Sequence, residues 1–120
     1  MFTWSDGPAH ANRELDIEVS AWGDRSGVVG TFVVQRGPAG DHHRTFVVPP
    51  PPWRCSFDWR SDRVTFRATG AAPWPSPAGA VPPAGDVHPR LNLWLVGGVQ
   101  PTGDTPIEVR IGGFRFTPHL

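Results

Sequence analysis

The sequence predicts an all-β fold in which short antiparallel strands form a sandwich or jelly roll. Several segments alternate apolar and polar residues with a period of two, which is typical of half-buried strands. Fifteen prolines and fourteen glycines disfavour long helices and favour many turns. A chain of 120 residues usually forms one domain, so residues 1–120 are predicted to be a single domain with a modest core.

Residues 14–18, with the sequence Glu-Leu-Asp-Ile-Glu, contain two of the chain's three glutamates. Leu15 and Ile17 alternate with the three acids, so a strand would place all the carboxylates on one face. A helix capped by Asn12 is the alternative, but it would turn Asp16 away from the two glutamates. The β-branched Ile17 also favours a strand. We therefore predict a strand that carries an acidic face.

The spacing of these acids suits acid–base chemistry. Four residues of strand place the Cα atoms of Glu14 and Glu18 about 13 Å apart. Side chains that lean inward can bring the two carboxyl groups much closer, and a retaining glycosidase needs them about 5–5.5 Å apart. Asp16 lies between them and can hydrogen-bond one, and three neighbouring like charges should separate their pKa values. The alternative interpretation is a solvated acidic face on an edge strand.

The remaining elements of the N-terminal half follow from similar patterns. Residues 1–4 are typical of the end of a strand, and Trp4 is expected either in the core or at the rim of a site. Residues 28–35 are predicted to pair with the acidic strand as a hairpin, with Gly30 as a candidate bulge. Residues 45–48 are predicted to be a short strand, and the four prolines that follow are predicted to be a stiff connector.

The second half contains one clear hairpin signal. Residues 54–59 and 63–69 are strand-like and flank the turn sequence Arg60-Ser61-Asp62. Residues 71–87 are rich in Pro, Ala and Gly and are predicted to form a long loop at the rim of a site.

Two further strands are predicted near the C-terminus. Residues 90–96 alternate strictly, which predicts three leucines on the core face and Asn92 and Trp94 on the opposite face. Residues 107–111 are predicted to form the last strand. Asn92 and Trp94 are therefore expected on the face opposite the leucines.

Charge and cysteine content exclude several classes of function. Arginine supplies all eleven positive charges and is balanced by eleven acids, so the sequence predicts no nucleic-acid or anionic-membrane binding. No apolar run approaches the ~20 residues of a membrane span.

Cys55 is alone and is predicted to be a small buried residue. The five histidines lack ligand spacing, so neither a metal nor a cofactor is predicted. Oligomeric state and compartment are left open.

Several of these segments together resemble family 16 glycoside hydrolases, the group of laminarinases, lichenases and agarases. Residues 14–18 resemble the active-site signature of that family, with aliphatic residues between the acids. Residues 56–66 are similar to its aromatic-x-Trp hairpin, residues 91–98 to a late groove strand, and residues 109–111 to the closing strand. The resemblance extends over most of the chain.

The resemblance implies a concanavalin-like jelly roll with a glycan groove, and a retaining endo-hydrolase of a β-linked polysaccharide of the β-glucan or galactan class. By motif position, Glu14 would be the nucleophile, Glu18 the general acid/base, and Asp16 the residue that orients the nucleophile. The residues expected to bind the polysaccharide or oligosaccharide are Trp94, Asn92, Trp22 and Gln35, and for Gln35 a surface amide near a loop is an equal alternative.

One departure from the family pattern lies at the N-terminus. Only thirteen residues precede the acidic strand, whereas the family carries a substantial N-terminal half there. We therefore expect an N-terminally shortened domain. The alternatives are a non-catalytic carbohydrate-binding module, an inactive remnant of such an enzyme, and a β domain without a function of its own. An upstream signal peptide in the gene would indicate an extracellular protein.

Overall fold

The computed structural model describes residues 1–22, 27–35, 40–100, 103 and 106–118. Eight strands lie within these residues and form two antiparallel sheets. The five-stranded sheet has the order β4-β3-β2-β1-β8, the three-stranded sheet has the order β5-β6-β7, and neither sheet is closed. The strands are β1 (Phe2–Trp4), β2 (Leu15–Ser20), β3 (Val29–Val34), β4 (His42–Val47), β5 (Cys55–Trp59), β6 (Val64–Ala68), β7 (Trp74–Pro75) and β8 (His88–Arg90).

The two sheets pack face to face around one apolar core. Alternate residues of β2 and β3 point toward the second sheet, and their counterparts on β6 point back. The buried residues of this core are Leu15, Ile17, Phe32, Val34, Val64, Phe66 and Ala68. Phe32 stacks on Phe66 with ring centroids 5.2 Å apart, and Phe66 stacks on Trp74 at 5.5 Å. The prediction of an all-β fold is confirmed, and the layers resemble a sandwich.

The acidic segment forms a strand and not a helix, as its alternation predicted. β2 pairs with β3 in a regular antiparallel register from Leu15 opposite Val34 to Ser20 opposite Val29. β2 is the central strand of its sheet, so the alternative of an acidic edge strand does not apply. The predicted hairpin of the acidic strand with the next strand is therefore confirmed.

Gly30 is not a bulge, so this prediction was wrong. It pairs in register with Val19 on β2 and with Phe46 on β4. Its role is close packing, because a Cβ atom at Gly30 would lie 2.2 Å from the Phe46 ring. The missing side chain lets that ring lie over the strand and stack on Phe32, with ring centroids 4.5 Å apart.

The second hairpin agrees with its turn sequence. The Arg60 backbone N–H donates to the Arg63 carbonyl at 2.9 Å, which closes the turn between β5 and β6. The loop predicted over residues 71–87 contains the short strand β7, and part of it covers the core, since Ala80 and Pro82 are buried. Ser76 fixes this loop to β6: its N–H donates to the Val64 carbonyl at 2.7 Å, and its Oγ accepts from the Val64 N–H at 3.0 Å.

The strands predicted near the C-terminus are wrong. β8 ends at Arg90, and residues 91–95 are exposed and unpaired. Residues 107–111 form no strand and are exposed. An alternating pattern shows only that a segment would have one apolar face. To form a strand, the segment must also pair with the free edge of another strand. None of the other described residues pairs with these two segments. The strand predicted at residues 45–48 begins earlier, at His42, and pairs with β3.

Among the described residues, no helix is long and apolar enough to cross a membrane.

Candidate functional site

The three acids of the β2 segment project from the sheet face opposite the core. Leu15 and Ile17 are buried beneath them, and strand alternation directs the Glu14, Asp16 and Glu18 side chains to the other side. Glu14 immediately precedes β2, and its carbonyl accepts a hydrogen bond from the Gln35 N–H at 2.8 Å. The predicted candidate catalytic residues therefore share one face, as the sequence indicated.

Asp16 is buried although it lies on this outer face. Only 4% of its surface is exposed, and Phe2 on β1 and Val33 on β3 lie directly opposite it. Burial, together with the neighbouring charges of Glu14 and Glu18, raises the pKa of Asp16 from 3.8 to about 8. At neutral pH the Asp16 carboxyl group is therefore mainly protonated.

A side-chain hydrogen bond joins Asp16 to Glu14. The bond favours the ionised form of Glu14 and the protonated form of Asp16, so the Asp16 O–H donates to the Glu14 carboxylate. A neutral donor beside a carboxylate fixes its orientation and keeps its charge. The sequence predicted this pairing of a short acid with one of its longer neighbours.

The two glutamates differ from each other in their surroundings. Burial raises the pKa of Glu14, and the hydrogen bond from Asp16 opposes that rise. Burial also raises the pKa of Glu18, and the positive charge of the Met1 ammonium group opposes that rise. The two carboxyl groups therefore share a raised pKa but have different opposing groups, the Asp16 hydrogen bond at Glu14 and the Met1 ammonium near Glu18.

Gln35 lies next to Glu14 on the same sheet face. It follows β3 directly, and the β2–β3 register places it opposite Glu14. Its side-chain Oε1 is buried, and no hydrogen-bond partner for it exists among the described residues. A buried acceptor without a partner, next to a carboxylate, is suited to accept a hydrogen bond from a ligand hydroxyl. The sequence predicted Gln35 as a ligand-binding residue, and its position is consistent with that role.

Trp22 and Trp94 lie against each other at the surface. Their ring centroids are 5.7 Å apart at an angle of 71°, and the two residues are 53% and 59% exposed. Trp22 does not continue the face of β2, because the strand ends at Ser20. Trp22 adopts a positive φ of 46°, and its backbone N–H donates to the Ser20 Oγ at 2.8 Å.

The predicted position of Asn92 and Trp94 on a strand was also wrong. Both were expected on a strand, and both lie in the exposed segment after β8. No hydrogen-bond partner of Asn92 lies in the described part of the chain, whereas Trp94 contacts Trp22. The sequence predicted each tryptophan as a binding residue but not their contact, and neither reaches this position through a regular strand.

A cleft of about 210 Å³ lies at the Glu14 end of the acidic face. Trp4, His10 and Arg13 line it together with Glu14. The Trp4 indole N–H donates to Asp6 Oδ1 at 2.9 Å, which fixes the ring at the rim. The sequence predicted Trp4 either in the core or at the rim of a site. Trp4 is 40% exposed, which places it at the rim.

His10 is the cleft residue that the sequence analysis missed. Its Nδ1 is buried with no partner among the described residues, and its ring packs on the Gly85 backbone, where an added Cβ would lie 2.0 Å away. No sequence signal joins His10 to Glu14, because the contact depends on the path of a loop. The pairing of Phe2 with Asp16 explains why Trp4 lies near Glu14, and that pairing cannot be read from the sequence.

No cluster of three or more histidines, cysteines and acids suited to a metal ion occurs in the described part of the chain. Cys55 was expected to be fully buried, and it is half-buried at the edge of the core, where burial raises the pKa of its thiol.

Comparison with known proteins gives no assignment: no family model, curated protein or solved structure matches this chain.

Proposed function

We propose that this chain is a retaining glycoside hydrolase of the family 16 type that cleaves a β-linked polysaccharide internally. The observation that carries the proposal is the position of Asp16, buried between two glutamates and hydrogen-bonded to one of them. A solvated acidic face would leave all three acids ionised and exposed. The sequence motif of residues 14–18 resembles that family, and the chemistry of the three side chains supports the same roles.

In the proposed first step, a Glu14 carboxylate oxygen attacks the anomeric carbon while Glu18 donates its proton to the leaving glycosidic oxygen. The C–O bond to the leaving sugar breaks and a covalent glycosyl ester forms on Glu14. In the second step Glu18, now a carboxylate, takes a proton from water as that water attacks the anomeric carbon. The ester bond breaks, and the product keeps the β configuration.

Asp16 is a positioning residue in this scheme. Its O–H donates to one oxygen of Glu14 and leaves the other oxygen to attack the sugar. Because Asp16 is neutral, it adds no negative charge beside the nucleophile. The donor also stabilises Glu14 when the ester forms, since it remains bonded to the carbonyl-type oxygen.

The sugar-binding residues proposed here lie on both sides of the acids along the chain. Gln35 contributes a buried acceptor next to Glu14, and Trp4 forms the rim of the adjoining cleft. Trp22 and Trp94 offer exposed aromatic surface of the kind on which apolar sugar faces stack, with Asn92 as a neighbouring polar contact. In this proposal the two sheets are the layers of a concanavalin-like jelly roll, and the acidic face lies in its groove.

Turnover of polysaccharides tests the proposal. We expect the protein to release reducing ends from at least one of laminarin, lichenan and agarose. The Glu14→Gln variant should lower the rate by about 10³-fold or more, because it lacks the nucleophile. Asp62→Asn is the control, since Asp62 is exposed in the β5–β6 turn. Release that is unchanged in Glu14→Gln would remove this residue from the mechanism.

The second candidate function is a non-catalytic carbohydrate-binding module, and the exposed Trp22–Trp94 pair favours it. Such a module requires the aromatic surface but not an ionisable Glu14. Titration calorimetry with oligosaccharides separates the two candidates. Binding that is unchanged in Glu14→Gln and lost in Trp94→Ala, without turnover, supports the module. Absence of binding to every glycan tested contradicts both candidates.

A further inference from the structure

The segments 91–96 and 107–116 leave a large apolar surface uncovered. Every described residue from 91 to 118 is exposed, and apolar residues recur with a period of two over residues 91–95 and 107–111. Their exposed apolar side chains include Leu91, Leu93, Leu95, Ile107, Val109 and Ile111, which are 44–64% exposed. We call these two segments the C-terminal arm.

Summed over both segments, the exposed apolar area of the arm is close to what one partner contributes to a stable dimer. Phe114 and Phe116 add to the six aliphatic side chains, and eight such side chains, each half open, leave roughly 600–700 Å² of apolar surface. Two copies that cover each other's arms would bury roughly 1,300 Å², which lies within the ~1,200–2,000 Å² of a stable specific interface.

The rest of the chain offers edges to which such an arm can bind. Among the described residues, β4 and β5 are edge strands of their sheets, with six and five residues. The alternating parts of the arm are five to six residues long, so each matches one edge in length. An extended segment that joins an open edge gains the backbone hydrogen bonds it lacks alone.

A second copy of the same chain is the partner that these features fit best. The net charge is zero, so long-range repulsion does not oppose association of two copies. Reciprocal exchange gives both copies the same new contacts and closes as a two-fold dimer. We propose that the C-terminal arm is a strand-exchange arm that pairs with the open edges of a second copy. This inference does not use the acidic face, although the first segment of the arm contains Asn92 and Trp94, which the proposed function assigns to glycan binding.

The test is the solution mass of the whole chain with two matched valine variants. Val109 lies in the arm and is 63% exposed, whereas Val28 precedes β3 and is 59% exposed. We expect sedimentation at twice the 13.1 kDa of one chain. Val109→Asp should weaken the dimer at least tenfold, because it places a charge in the exchanged contact, and Val28→Asp should leave it unchanged.

Amide hydrogen exchange provides the second readout. Protection of the backbone amides of residues 107–111 in the native dimer, lost in Val109→Asp, supports the proposal. A monomer mass up to about 100 μM overturns it, whether or not these amides are protected, and so does a dimer that Val109→Asp does not weaken. Because both valines are exposed outside the core, a folding defect is not expected in either variant; near-ultraviolet circular dichroism of the tryptophans checks this.

Discussion

Replacing Asp16 by Asn should make the protein more stable at neutral pH. Asp16 is almost fully buried, and its carboxyl group donates to Glu14. An asparagine has nearly the same shape, and its amide N–H can donate to Glu14 in place of the O–H. The substitution therefore keeps the contact and removes the titration.

The magnitude follows from the difference between the folded and unfolded pKa. In the folded chain Asp16 holds its proton up to a pH of about 8, whereas its ordinary value is 3.8. Between these values the folded state binds one proton more than the unfolded state, so the free energy of unfolding falls as pH rises, by about 1.4 kcal/mol per unit. At pH 7 the accumulated loss is roughly 4 kcal/mol.

The stabilising contribution of protonated Asp16 is complete below the unfolded pKa of 3.8 and is lost as pH rises toward about 8. The Asp16→Asn variant should not show this loss. We expect nearly equal stability of the two proteins near pH 4 and a variant that is more stable by roughly 3–5 kcal/mol near pH 7.

Urea unfolding followed by tryptophan fluorescence, from about pH 4 to about pH 9, measures this difference. The matched control is Asp62→Asn on the exposed β5–β6 turn, which should leave the pH dependence as in the natural sequence. Parallel pH profiles of the natural protein and Asp16→Asn would refute the reasoning. They would mean that Asp16 is ionised in the fold and does not donate to Glu14.

Three other predictions follow from the packing and from the proposed site. Gly30→Ala should lower the free energy of unfolding by about 1–3 kcal/mol, because the added Cβ displaces the Phe46 ring; urea unfolding with an unchanged midpoint would contradict this. Glu18→Gln should slow polysaccharide hydrolysis by about 10²–10⁴-fold. With an aryl glycoside whose leaving group needs no proton, the same variant should slow the glycosylation step much less. Equal losses of rate on both substrates would count against an acid role for Glu18. Trp94→Ala and Trp22→Ala should each weaken oligosaccharide binding about fivefold by calorimetry, whereas unchanged affinity in both would exclude the pair from the binding surface.

The sequence predicted best those features that depend on neighbouring residues. Strand alternation located β2 and its acidic face, and the turn residues located the β5–β6 hairpin. Asp16 could be placed between Glu14 and Glu18 because all three lie on one strand. Its burial could not be predicted, since it depends on Phe2 and Val33 from other strands.

The features that were missed depend on long-range contacts. The apolar alternation of residues 90–96 and 107–111 predicted strands, but no described edge pairs with them, and their apolar side chains are exposed. The isolated glycine in a strand pattern predicted a bulge at Gly30. Instead, the missing side chain makes room for the Phe46 ring on the neighbouring strand. His10 reaches the cleft through a loop whose path no local pattern specifies.

The most direct test of the proposed mechanism is to trap the covalent intermediate. A 2-deoxy-2-fluoro β-oligosaccharide with a good leaving group, made in the gluco and galacto series, slows both steps of a retaining enzyme and allows the glycosyl ester to accumulate. Mass spectrometry should then find one added glycosyl group per chain, on the peptide that contains Glu14, and none on the Glu14→Gln variant. A label on another residue, or the absence of label while the same preparation hydrolyses polysaccharide, would contradict the assignment of Glu14 as the nucleophile.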